Sequence, residues 1–192
     1  SDLSTALYSL IDLDEYYVRV HEIFRQHLNA KNFFIALKDM ENDRIVFPYF
    51  SDEMDGSSFE IKKFSSPNVN TLTTVVIRSG LPLLITGGEF QEKINSGELN
   101  LVGTASKIWL GVPLKVNNET LGAIAMQDYH DQEAFTANDL NFMTSVSEHI
   151  AVAIQRKRTE AKLINSEHRH RTIFENSPLG MILFDPTGTI ID

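Results

Sequence analysis

The stretch Ile108–Tyr129, IWLGVPLKVNNETLGAIAMQDY, decides the fold. It reads as two strands joined by Asn117 and Asn118, and asparagine tolerates positive φ better than other non-glycine residues, which suits a two-residue hairpin turn. Pairing outward from that turn sets Val116 opposite Glu119, Leu114 opposite Leu121, Val112 opposite Ala123 and Leu110 opposite Ala125. Strand side chains alternate faces, so this register gathers the aliphatics on one side, ready for helices. The other side receives Lys115 with Thr120, Pro113 with Gly122, Gly111 with Ile124, Trp109 with Met126, and Lys107 with Asp128. Small residues, an indole, a thioether and a carboxylate make that second face the candidate ligand surface. Lys107 and Asp128 are read as a surface ion pair across the ladder.

The 192 residues are enough for one full domain plus an extension. Hydrophobic residues at 42% and charged residues at 22% are ordinary for a globular protein. A net charge of -9 opposes non-specific binding to DNA or to an anionic membrane surface, both of which need a positive field. The absence of cysteine removes disulfides, thiolate catalysis, cysteine-ligated zinc and thioether-linked chromophores. No apolar run reaches the roughly 18 to 20 residues needed to span a bilayer. The last residues, TGTIID, break off within a strand-like pattern, which reads as a piece of a longer protein.

Outward from the hairpin, Leu3 to Leu28 reads as a helix with a stripe of Tyr16, Val20, Ile23, Phe24 and His27, capped for its main part by Asp12 or Asp14. NFFIALKDM and RIVFPYF are strands about a turn at 41–43, with Pro48 at an edge or bulge. FEIKKF is a short strand. A helix capped by Asn70 or Thr71 runs to Arg78, with Leu72, Val75 and Val76 inward and Gly80 as its left-handed stop. LPLLIT is a short strand, and Gly87-Gly88 opens another helix. The order indicates an α+β fold with a mainly antiparallel central sheet.

Thr136 with Asp139 caps a last helix, and Phe135 staples it. No Gly or Pro follows until Pro178. Phe142, Val146, His149 and Ala153 form a face for the hairpin, His149 as a core histidine. Leu140, Met143, Ser147, Ile150, Ile154, Lys157, Ala161 and Ile164 form a heptad-like stripe that outlasts the domain, which a second copy would cover. The expected partner is therefore another copy of the chain, through the N- and C-terminal helices. The histidines offer no metal or haem ligand set: His21 and His27 are six apart, and His168 and His170 point apart. No phosphate loop, nucleophile elbow or HExxH occurs. RKRTEAKLINSEHRHR reads as a solvated helix face rather than a nucleic-acid arm.

In order, VIRSGLPLLIT, GTASKIWLGVPLKVNNETLGAIAMQDY and FTANDLNFMTSVSEHIAVAIQRKR resemble a GAF domain, closest to those of bacterial multidomain signalling proteins. The likeness covers roughly Leu7 to Arg158. EHRHRTIFENSPLGMILFDPTGTIID is similar to the opening of a PAS domain. The resemblance implies residues 1–158 as a sensor domain, 159–175 as a signalling helix and 176–192 as the truncated start of a PAS domain. It implies a PAS-related sheet with the terminal helices on one face and a pocket on the other. Trp109, Gly111, Ile124, Met126 and Asp128 lie on that expected pocket face, joined from the first hairpin by Phe34 or Phe33, whichever the register turns that way, and by Tyr49. It implies a non-catalytic cytoplasmic regulator that binds an unidentified small molecule and precedes an output enzyme. A sensor histidine kinase is the first choice; a diguanylate cyclase, a cyclic-di-GMP phosphodiesterase or a ligand-free dimerisation spacer are the alternatives. Bilin-binding members carry a linking cysteine or characteristic histidines; here there is no cysteine, and Gln127-Asp128 stands where the histidines tend to be. The cysteine-dependent methionine sulfoxide reductases of this fold are excluded on the same chemical ground.

Overall fold

The computed structural model describes the backbone of residues 2–56 and 60–175 and two short strand pieces beyond them, with side chains from Leu13 to Ile164. Its centre is one antiparallel six-stranded sheet in the order β3-β2-β1-β6-β5-β4. The strands are β1 (Asn32–Asp39), β2 (Arg44–Ser51), β3 (Ile61–Lys62), β4 (Leu83–Thr86), β5 (Ile108–Val116) and β6 (Glu119–Asp128). Among the described residues four helices complete the fold: α1 (Asp2–His27), α2 (Leu72–Ser79), α3 (Gly87–Asn95) and α4 (Ala137–Glu175). The expected α+β architecture is the observed one. Beyond α4, Leu183–Phe184 and Ile190–Ile191 pair antiparallel; the rest of the PAS-like segment lies outside the described residues.

Local chemistry explains the punctuation. Asn117 (φ 48°) and Asn118 (φ 69°) form the two-residue turn between β5 and β6, both left-handed. Thr71 caps α2 in a reciprocal box with Thr74, and Gly80 (φ 63°) ends it. Thr136 and Asp139 cap α4 the same way. Between Ile35 and Leu37 the β1–β2 register shifts, so Phe47 and Pro48 form a bulge where proline's missing donor is harmless. Neither Asp12 nor Asp14 stands at a helix start, because α1 runs through both.

The β5–β6 register departs from the alternation expected of the sequence. Val116–Glu119 and Lys115–Thr120 pair as expected, but Leu114 then meets Gly122, leaving Leu121 as an extra residue. That bulge reverses the facing of everything after it in β6. Ile124 and Met126 therefore join Ile108, Leu110, Val112 and Leu114 on the helix-covered face, where all six are buried. Trp109 shares the opposite face with Ala123 and Ala125 instead.

On the helix face, Tyr17, Val20 and Phe24 of α1 and Met143, Ala151 and Ile154 of α4 close the core. The α1 stripe is turned by one residue from expectation, for Ile23 is 52% exposed and Tyr17 is buried. In α4, Met143, Ser147 and Ile154, read as part of the self-association stripe, are buried against the chain's own sheet. Leu140 and Ile150 pack at the edge of that core. Phe142 turns toward α1, its ring 6.1 Å from Phe24 and 5.7 Å from His27. His149 is exposed rather than a core histidine. Ala161 and Ile164, half-buried, continue the stripe past the sheet.

Among the described residues His21 is the buried histidine. Its Nε2–H donates to the Ala30 carbonyl (2.6 Å), so Nδ1 is the neutral acceptor for the Tyr49 hydroxyl (2.8 Å). Its ring stacks on Phe33 at 4.6 Å. Burial pushes its pKa below the usual histidine value. The unfolded chain therefore takes up this proton first on acidification. The neutral ring's contribution is complete above the unfolded pKa near 6.5 and is lost as pH falls through the lower folded value. Urea melts at pH 7 and pH 5 should show this loss, and His21→Gln should flatten it. An unaltered pH slope in the variant would assign the acid sensitivity elsewhere.

Candidate functional site

A small cavity of about 50 Å³ lies on the sheet face away from α1 and α4. Phe34 from β1 and Trp109 from β5 form its floor, and Leu72, Phe90, Ile61 and Phe50 its apolar walls. The indole lies flat over Gly111: a Cβ there would stand 2.2 Å from the ring. Glycine on the same face two residues along is what lets tryptophan fold down rather than stand up. Polar groups come from Thr71 and Thr73 at the start of α2, Ser106 and Thr104 from the loop before β5, Gln127 from β6, and Asp55. The volume suits a few waters or a compact group of atoms.

Two carboxylates latch the loops at the rim. The Tyr129 hydroxyl donates to Asp52 (2.9 Å), Gln127 Nε2 donates to the same carboxylate (2.8 Å), and the Met54 and Asp55 N–H groups reach its Oδ1. Burial, then the adjacent Asp52 carboxylate, holds the Tyr129 phenol's pKa far above its usual value. Asp55 in turn accepts from the Thr104 N–H (3.0 Å) and hydroxyl (2.8 Å). Gly103, at φ 75°, presses against that carboxylate, which a Cβ would meet at 2.4 Å. The loop after β2 is thus tied both to the end of β6 and to the loop before β5.

Of the residues expected on this face, Phe34 and Trp109 line the cavity and Gly111 supports the indole. The Leu121 bulge moves Ile124, Met126 and Asp128 to the other side. Asp128 there accepts from Asn29 Nδ2 and the N–H groups of His130 and Asp131, each at 2.8 Å, a turn-forming role. The expected Lys107–Asp128 ion pair is not among the described contacts; the Lys107 N–H donates to the Asp128 carbonyl instead. Tyr49 faces His21 on the helix side. Thr73, Ser106, Gln127 and Asp55 were not identified from sequence. They reach the cavity through long-range pairing, and the only local cue was the Thr71 cap. Among the described residues no cluster of His, Asp or Glu could hold a metal ion, and no helix is long and apolar enough to cross a membrane.

Residues 11–155 match the profile of the GAF domain family. No curated protein matches the chain. Among solved structures, the GAF domain of a phosphoenolpyruvate-protein phosphotransferase (ptsP) from Coxiella burnetii is similar at 15% identity and a TM-score of 0.60, covering 82% of this chain and 98% of that one. The GAF domain/HD domain protein from Geobacter sulfurreducens gives 14% and 0.57, over 77% and 95%. The second GAF domain of DevS from Mycobacterium smegmatis gives 16% and 0.51, over 70% and 86%. At these identities the likeness is one of fold.

Proposed function

Because the chain belongs to the GAF domain family, a family of regulatory modules, we propose that it senses a small molecule in its cavity and passes that state on through α4. One observation carries this reading: strand β5 serves both sides. Its Trp109 floors the cavity, while Ile108, Leu110, Val112 and Leu114 on its reverse face belong to the same core as Met143, Ala151 and Ile154 of α4. A ligand that tilts β5 would act directly on the bed of a 39-residue helix, about 60 Å long. To shift it, the ligand must bind two conformations with different affinity.

The parent in this reading is a cytoplasmic sensor histidine kinase, with a PAS domain between α4 and the catalytic part. A diguanylate cyclase or cyclic-di-GMP phosphodiesterase would use the same device. The test is a thermal-shift panel of nucleotides, amino acids, aromatics and bilins, followed by amide exchange. A compound that raises the melting temperature should also change protection in residues 150–164. Binding without any change in α4 would remove the transmission role. Silence across the panel would favour a ligand-free spacer.

Self-association belongs to the same proposal. Met143, Ser147 and Ile154 are occupied by the chain's own sheet. The contact with a second copy therefore falls on the later turns, including Ala161, Ile164 and the 60%-exposed Leu163, with α1 alongside. Truncation after Arg156 should shift the mass by light scattering from dimer toward monomer. An unchanged dimer mass would move the interface elsewhere.

A further inference from the structure

The cavity holds hydrogen-bonding capacity that the protein itself does not use. In the first turn of α2 the capping box takes the Thr71 and Thr74 N–H groups. The first intrahelical backbone bond is Val75 to Thr71, which leaves the Leu72 and Thr73 N–H groups without a helical acceptor. Thr73 and Ser106 line the same cavity. These residues are 6% and 8% exposed, and among the described residues neither hydroxyl has a hydrogen-bond partner. Buried hydroxyls without partners are rare and costly. Gln127 gives its side-chain amide protons to Asp52 and Tyr129, and among the described residues its side-chain Oε1 accepts no hydrogen bond. Asp55, another lining residue, keeps lone pairs beyond the two that Thr104 uses.

Donors thus come from α2, Thr73 and Ser106, and acceptors from Gln127 and Asp55. A bare anion would meet the Asp55 carboxylate, and a bare cation would leave the α2 donors empty. We propose that the cavity binds the ammonium–carboxylate head of a small α-amino acid. The carboxylate meets the first turn of α2 with the Thr73 and Ser106 hydroxyls. The ammonium meets Gln127 Oε1 and Asp55. An apolar side chain leaves past Leu101 and Val102, which line the cavity yet are 46% and 43% exposed. The head group has the few-atom size that about 50 Å³ allows. This names the ligand class of the sensory reading and rests on it only for the use made of binding.

The test titrates the 192-residue chain with L-alanine, L-valine and L-leucine, followed by calorimetry and by fluorescence of Trp109, the single tryptophan. Isobutylamine and isovalerate, valine without its carboxylate or its ammonium, are the paired probes. At least one amino acid should bind, and each half-molecule should bind at least about tenfold more weakly than valine. Ser106→Ala and Thr73→Val should each weaken binding about tenfold at an unchanged fold, with Thr73→Ser retaining affinity should the valine variant misfold. Isovalerate equal to valine would make this an oxyanion site; three silent amino acids would leave it a water site; full affinity in Ser106→Ala would misplace the carboxylate. Each overturns the proposal. If another compound binds and alters α4, this proposal falls and the sensory reading stands. If valine binds and α4 does not respond, the reverse holds.

Discussion

Gly122→Val should destabilise the domain by at least about 3 kcal/mol and lower its melting temperature by roughly 10 °C. Gly122 pairs with Leu37 of β1 and Leu114 of β5, so it lies inside the sheet. A Cβ there would stand 2.0 Å from the Ala36 carbonyl oxygen and 2.9 Å from the Leu37 Cα. Those are backbone atoms of a central strand, and they cannot swing aside as a side-chain tip would. Gly122 has no positive φ; the requirement is space. Gly88 is the control, since nothing lies within 4 Å of a Cβ placed there. Gly88→Ala in the first turn of α3 should be neutral or slightly stabilising. Thermal melts by circular dichroism decide it. A Gly122→Val protein melting within about 2 °C of the parent would mean that β1 and β6 do not approach as described.

The same glycine marks where sequence reasoning stopped. The hairpin was legible because Asn117-Asn118 has a local conformational cause, and so were the caps at Thr71, Thr136 and Gly80. The Leu121 bulge was not, because strict alternation satisfied each strand separately. The hidden cue was bulk. Ile108, Leu110, Val112 and Leu114 form the large-residue row of β5, and Ile124 and Met126 form that of β6, with Ala123 and Ala125 between them. Helices rest on a face that is bulky throughout, while an indole needs small neighbours. Matching large with large requires one inserted residue, and a glycine inside a strand is where such an insertion shows. In α4 three members of the stripe are covered by the chain's own sheet rather than by a second copy. Met143, Ser147 and Ile154 recur as a dimer seam would, and periodicity does not say whether sheet or partner covers it. The polar lining was hidden for another reason. Thr73, Ser106, Asp55 and Gln127 lie far apart in the chain, and only the assembled sheet brings them together.

Trp109→Ala should cost about 3 to 5 kcal/mol, and the lost stability should be partly restored by free indole. The indole is 4% exposed, and its removal merges a large void with the existing cavity. An apolar void of that shape, already open at the Leu101 and Val102 rim, can be refilled from solution, and binding to the native state raises stability by mass action. Met126→Ala is the informative companion. Met126 is fully buried, so its truncation should cost a comparable 2 to 5 kcal/mol. Its void lies beneath α1 and α4, where indole has no entry, and no rescue should follow. In the register expected from simple alternation the two side chains would share one face, and their effects would couple strongly. In the bulged register they belong to separate hydrophobic clusters on opposite faces of the sheet, and the double variant should equal the sum of the singles within about 0.5 kcal/mol. Denaturant melts of the four proteins, with and without indole, measure both quantities. Strong coupling together with rescue of Met126→Ala would return Met126 to the cavity and remove the bulge from the hairpin. Additivity with rescue confined to Trp109→Ala would fix the two faces of β5 as separate surfaces, one holding the cavity and the other the helix that leaves it.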